Sequence, residues 1–104
     1  MPSELHDLSI AELSGLIATR KLSPMELVEA LIQRIEQYDR QTRAFITRTF
    51  DLARQQAKQA EAEIGAGKSR GPLHGIPFAL KDIYDTKGIL TSGHSRVFID
   101  RIPK

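Results

Sequence analysis

Apolar residues recur at helical spacing through the first two thirds of the chain, then break into short runs. In LSIAELSGLIATRK, Ile10, Leu13, Leu16 and Ile17 fall on one face. Ser9 stands where an N-cap belongs, Glu12 lies three residues on, and Leu8 with Leu13 forms the apolar pair that fixes chain entry. This predicts a helix over about 9–20. The same device returns in LSPMELVEALIQRIEQYD, with Ser23 as cap, Glu26 closing the box and Leu22 against Leu27. Pro24 takes the first helical position, where its missing N–H is harmless. Leu27, Val28, Leu31, Ile35 and Tyr38 form the stripe of a second helix over about 23–38.

AFIT, Ala44 to Thr47, is short and rich in aromatic and β-branched residues, and predicts a strand. FDLARQQAKQAEAEI then returns to helical period over about 50–64, with Leu52, Ala53, Ala57, Ala60 and Ile64 on one face. Alanine dominates that face, which suits close approach to a neighbour better than a thick core. Gly65 and Gly67 stop the helix. A basic loop, GAGKSRGPLHG, leads to a second predicted strand at about 76–81. The chain ends DRIPK with no closing element, and this with its length is the reading of an N-terminal piece of something larger.

Composition sets few further bounds. At 104 residues, with 40% hydrophobic and 27% charged residues, this is at most one domain of an ordinary globular chain. No apolar run approaches a membrane span, and MPSELHDLSIAEL lacks the layout of a secretory signal, so the expected location is the cytoplasm. Without cysteine there is neither disulfide nor thiolate chemistry. Residues 1–52 carry six Lys/Arg against eight Asp/Glu, and residues 53–104 carry nine against five. The basic excess is spread along helix and loops, so no nucleic-acid contact is expected.

Most candidate motifs have ordinary explanations. GAGKS, Gly65 to Ser69, lacks the phosphate-loop spacing, because Ala62 stands where that pattern needs glycine and a helix precedes it. His6, His74 and His94 fit no metal-ligand spacing, and neither metal nor cofactor is expected. His74 reads as a hydrogen-bonding residue of its Gly/Pro turn. TSGHS, Thr91 to Ser95, does not match a nucleophile elbow and reads as a turn bonded to its own side chains. Lys81, closing GIPFALKD after the uncharged Pro77 to Leu80, has two readings. Its ammonium reaches water, or burial favours the neutral amine and makes it a base. Strand alternation would point Asp82 to the opposite face, so Asp82 is not its expected partner.

The run GPLHGIPFALKDIYDTKGILTSGHS, Gly71 to Ser95, resembles the amidase signature family of C–N hydrolases. The preceding layout is similar too: a Leu-Ser-x-x-Glu-Leu helix, a second helix opening Ser-Pro-x-Glu, the AFIT segment and an Ala-rich helix. The resemblance implies an α/β fold, with N-terminal helices packed on part of a mixed β-sheet, incomplete in this chain, residues 1–104 being one N-terminal fragment of a single amidase domain. It matches Lys81 to the lysine of the family's Ser–cis-Ser–Lys triad, the general base for hydrolysis of a small carboxamide. Family members carry both serines well downstream of the lysine, and Ser92 and Ser95 match a different part of the pattern. His94 is given no catalytic role. The expectation is therefore amidase activity in a full-length parent and none in these 104 residues alone. Two other readings stand beside it. One is a non-catalytic module or split piece docking on a partner chain. The other is a fragment of the glutaminase component of a tRNA-dependent amidotransferase, with partner chains; a homo-oligomer is a further option.

Overall fold

The structure is a computed structural model, and it describes residues 4–104. It contains a single 3-10 turn, Leu5–Asp7, and three α-helices: α1, Ile10–Ala18; α2, Pro24–Thr42; and α3, Phe50–Gly65. These residues divide into two compact units, one comprising the chain to Thr42 with Thr49–Pro77, the other Arg43–Arg48 with Phe78–Lys104.

The first unit holds the helices. Serine caps start α1 and α2: Ser9 Oγ accepts the Glu12 N–H at 3.1 Å, and Ser23 Oγ accepts the Glu26 N–H at 3.1 Å. Each satisfies a donor that the first helical turn would otherwise leave unpaired. Helix α1 ends through Thr19, with Arg20 in the left-handed region at φ 59 and the Lys21 and Leu22 N–H groups both on Leu16 O. That reversal returns the chain directly to α2.

Two apolar clusters hold the helices together. Leu13, Ile17, Leu22 and Leu27 form one, with Leu8, Leu16, Leu31, Ile64 and Ile76 packed against it. Leu27 is fully buried, and its full burial is worth about 2 kcal/mol. Val28, Ile32 and Ala57 form the other, with Met25, Phe50 and Ala53 around them. The alanines let α3 lie close on α2, as their dominance of its apolar face suggests. An ion pair between Arg54 Nε and Glu29 Oε1 at 2.6 Å crosses the same helix pair. The sequence pattern errs at the edges of the stripes. Ile10, Tyr38 and Leu52 are exposed, whereas Ile32 is buried beside Val28. Helix α2 also continues four residues beyond Tyr38, to Thr42.

The expected α/β fold is not found: no strand occurs among the described residues, so there is no mixed sheet for the helices to cover. A strand needs a neighbour to receive its main-chain donors and acceptors. Around 76–81 the backbone bonds are instead local turns, Ile76 N–H to Leu73 O and Tyr84 N–H to Lys81 O, each at 3.1 Å. Residues 44–47 are an irregular connection after Arg43, itself at φ 48, and Thr47 Oγ1 donates to Leu90 O at 3.2 Å. β-propensity without a pairing partner leaves extended or bent chain.

Gly75 is the most closely approached glycine among the described residues. Its φ is +87, and a Cβ there would lie 2.9 Å from Pro24 Cγ, at the start of α2. Conformation and space both demand glycine, and the turn is thereby seated on the helix. Gly75→Ala is expected to lower the unfolding free energy by about 1–3 kcal/mol, measured by urea denaturation. A variant as stable as the parent would show that this contact is not a constraint.

Candidate functional site

The segment that carries Lys81 begins on a fixed turn. In the first unit, His74 Nδ1 accepts the Arg70 N–H at 3.0 Å, and its Nε2 lies 2.9 Å from Glu63 Oε2 on α3. An accepting Nδ1 places the ring proton on Nε2, so the imidazole donates to the carboxylate. Glu63 also accepts from Gln59 Nε2 at 3.1 Å and Arg70 Nη2 at 2.7 Å. The Gln59 hydrogen bond first, then the charge of Arg70, holds this carboxyl below its ordinary range. His74 is therefore the hydrogen-bonding turn residue its Gly/Pro context indicates. A groove of about 490 Å³ runs beside it, lined by Ile17, Arg20, Ile64, Ser69 and His74 among others. Lys81 does not line it.

The second unit is built inside out. Among the described residues every buried apolar side chain belongs to the first unit, while Thr91 and Ser92 are buried in the second. Asp82 organises this polar interior. Its Oδ2 accepts the Ser92 hydroxyl at 2.7 Å and the His94 N–H at 3.1 Å, and its Oδ1 accepts the Ser92 N–H at 3.1 Å. Gly93 and His94, both at φ 62, are the central residues of a turn closed by the Ser95 N–H on Ser92 O at 3.1 Å, and this turn presents the Ser92 and His94 N–H groups to the carboxylate as a cradle. The Ser92 hydroxyl bond, with the backbone donors of His94, Ser92 and Gly93, holds the Asp82 carboxyl below its usual range.

A second carboxylate closes the unit. Asp85 takes both arms of the Arg101 guanidinium, at 2.7 and 2.6 Å, and this bidentate bond lowers the Asp85 carboxyl. The Thr91 N–H donates to Arg101 O at 2.9 Å and the Gly88 N–H to Pro103 O at 2.9 Å, tying the end of the chain to the 88–91 segment. TSGHS is the self-bonded turn expected of it: Ser92 Oγ accepts the His94 N–H at 3.3 Å and Ser95 Oγ the Val97 N–H at 3.1 Å.

Lys81 lies exposed. The burial expected of Pro77 to Leu80 is not found either, with Phe78 80% and Leu80 54% exposed. Among the described residues there is no sheet to cover these apolar side chains. Among the described residues no ion pair reaches the Lys81 ammonium, and none joins it to Asp82. The cradle of Asp82 and the Asp85–Arg101 pair escape sequence reasoning. The available signal was two acids close behind the lysine, followed by a Ser-Gly turn that could receive one of them.

The sequence model of the Amidase family matches residues 26–104. The chain belongs to the amidase family. The glutamyl-tRNA(Gln) amidotransferase A subunit of Moorella thermoacetica is 39% identical over 100 residues, covering 96% of this chain and 20% of that protein. The protein of the same name from Pseudomonas syringae pv. tomato is 44% identical over 93 residues, 89% of this chain and 19% of its own length. The one from a Geobacter species is 41% identical over 100 residues, with 96% and 20% covered. The amidase-family chain described here thus spans about a fifth of the length of the curated relatives it matches. Lys81, Asp82, Asp85 and the Thr91–Ser95 turn all lie within the span that the family model matches. No helix among the described residues is long and apolar enough to cross a membrane.

Because the Asp82 carboxyl is lowered by folding, its contribution to the turn is complete above the ordinary carboxylate range and lost as pH falls through the lowered value. The side-chain carboxyl carbon resonance of Asp82 is expected to hold constant from neutral pH to about pH 4 and to move only below it. Asp82→Asn should move the Ser92 and His94 amide resonances. A midpoint at or above the ordinary aspartate value would contradict the cradle.

Proposed function

We propose that this chain supplies the base-bearing span of an amidase-family carboxamide hydrolase, with Lys81 as the general base. The carrying observation is the family match across residues 26–104, which takes in the Lys81–Asp82 pair and the TSGHS turn. The base role rests on the match of the Gly71–Ser95 run to the family pattern, not on burial, since Lys81 is exposed. A serine hydroxyl is a poor nucleophile until its proton is removed. In the proposed sequence Lys81 receives that proton through a second serine as the nucleophile's oxygen bonds to the amide carbon. Backbone N–H groups near the nucleophile hold the resulting oxyanion. The C–N bond breaks as the proton passes to the leaving nitrogen, and water then releases the acyl group as a carboxylate. Ser92 is not assigned as the nucleophile, because it matches a different part of the family's pattern and is buried in its turn. The 104 residues alone therefore hold the base without its nucleophile and are inactive.

The relatives' shared name, which makes each one component of a Glu-tRNA(Gln) amidotransferase, favours a second version of the same chemistry. Here the carboxamide is glutamine, its nitrogen passes to an acceptor, and partner chains complete the enzyme.

Ammonia release from glutamine, propionamide and benzamide tests both versions. The 104-residue chain should release none. In an amidase-length polypeptide carrying these residues, Lys81→Ala should lower kcat by about 10²- to 10⁴-fold. Lys81→Arg should not restore it, since a guanidinium does not give up its proton. Glutamine turnover alone among the three amides would select the amidotransferase version. An undiminished Lys81→Ala enzyme would remove Lys81 from the mechanism.

A further inference from the structure

The role of Asp82 goes beyond holding a turn. Three carboxylates share the second unit with Lys81: Asp82, Asp85 and Asp100. Asp82 is adjacent to the lysine in sequence, and pairing with it would hold the amine charged. In a strand, alternation would keep neighbouring side chains on opposite faces. Here residues 76–81 form no ladder, so alternation imposes nothing. What holds the carboxylate elsewhere is its own set of donors: the Ser92 hydroxyl and N–H and the His94 N–H, at 2.7 to 3.1 Å, with Gly93 beside them. Asp85 is likewise consumed, by both arms of Arg101. Asp100 enters no ion pair with Lys81 among the described residues.

We infer that the Ser92–His94 cradle acts as a carboxylate trap, making Asp82 a positioning residue that leaves the adjacent Lys81 amine unpaired. The inference deepens the reading of Lys81 as a base and rests on it for its purpose, although the trap can be tested without any turnover. An anion cradle occupied by the chain's own aspartate explains why a lysine followed at once by an aspartate forms no pair with it.

The test is the rate at which the acetyl ester of N-hydroxysuccinimide acetylates Lys81 in the 104-residue chain at about pH 8. Peptide mass spectrometry reads that rate against the exposed Lys58 of α3 as internal reference. Only an unprotonated amine reacts, so an ion pair slows the reaction. Ser92→Ala removes the strongest bond of the cradle and should slow Lys81 by about threefold relative to Lys58, the scale of an exposed ion pair. Asp82→Asn leaves no carboxylate to release and should not slow it. The double variant Ser92→Ala/Asp82→Asn should return to the parent rate. An unchanged rate in Ser92→Ala overturns the trap. So does a double variant that stays slow, because loosening of the turn would then be the cause. Loss of the base role in the turnover assay would leave these rates unaffected, so the two failures are distinguishable.

Discussion

The placement of Leu27 at the meeting of α1, α2 and the turn before Ile76 is the contact on which the first unit depends. Among the described residues it is the one fully buried large side chain, and those packed with it come from α1 (Leu13 and Ile17), the reversal (Leu22), the end of α3 (Ile64) and the turn (Ile76). A core this small leaves little tolerance for a misplaced helix end. The serine caps, the left-handed Arg20 and the seat of Gly75 on Pro24 can each be understood as fixing where one element meets that core.

The second unit follows a different rule. Among the described residues its buried side chains are the hydroxyls of Thr91 and Ser92, with Asp82 half-buried beside them, while Phe78, Leu80, Ile83, Tyr84, Val97, Phe98, Ile99 and Ile102 are exposed. Hydrophobic burial therefore contributes little to its order, which rests on Asp82 in its set of donors and on the bidentate Asp85–Arg101 pair. Charge-assisted hydrogen bonds are directional, so they can specify a turn that apolar contact would leave loose. Lys81, the proposed base, lies exposed in the same unit, and among the described residues Asp82 and Asp85 are bonded to other donors rather than to it.

The helical part was legible because its signals are local. A serine, an acid three residues on and an apolar stripe are read within one or two turns of helix, and caps and periodicity agree for α1 and α2. The errors were those of perspective. Ile10 and Tyr38 lie at the rim of their stripes, and whether a rim residue is covered depends on a neighbour that periodicity does not name. The two expected strands failed for a related reason. AFIT and GIPFALK have the composition of strands, but a ladder is a property of two segments, and no segment among the described residues pairs with either.

The amino-acid sequence by itself determined the three helices, their starts, the glycine stop after α3 and the family-specific run from Gly71 to Ser95 that contains Lys81. These depend on residues within a few positions of one another, or on a motif carried whole. Tertiary structure alone decided where the carboxylates go. Asp82 reaches donors ten and twelve residues away, and Asp85 reaches a guanidinium sixteen residues away. Such distances exceed what spacing rules can span, because the intervening chain must fold before donor and acceptor meet. The same holds for exposure: Phe78 and Leu80 are apolar by composition, but only the fold determines whether there is anything for them to be buried against.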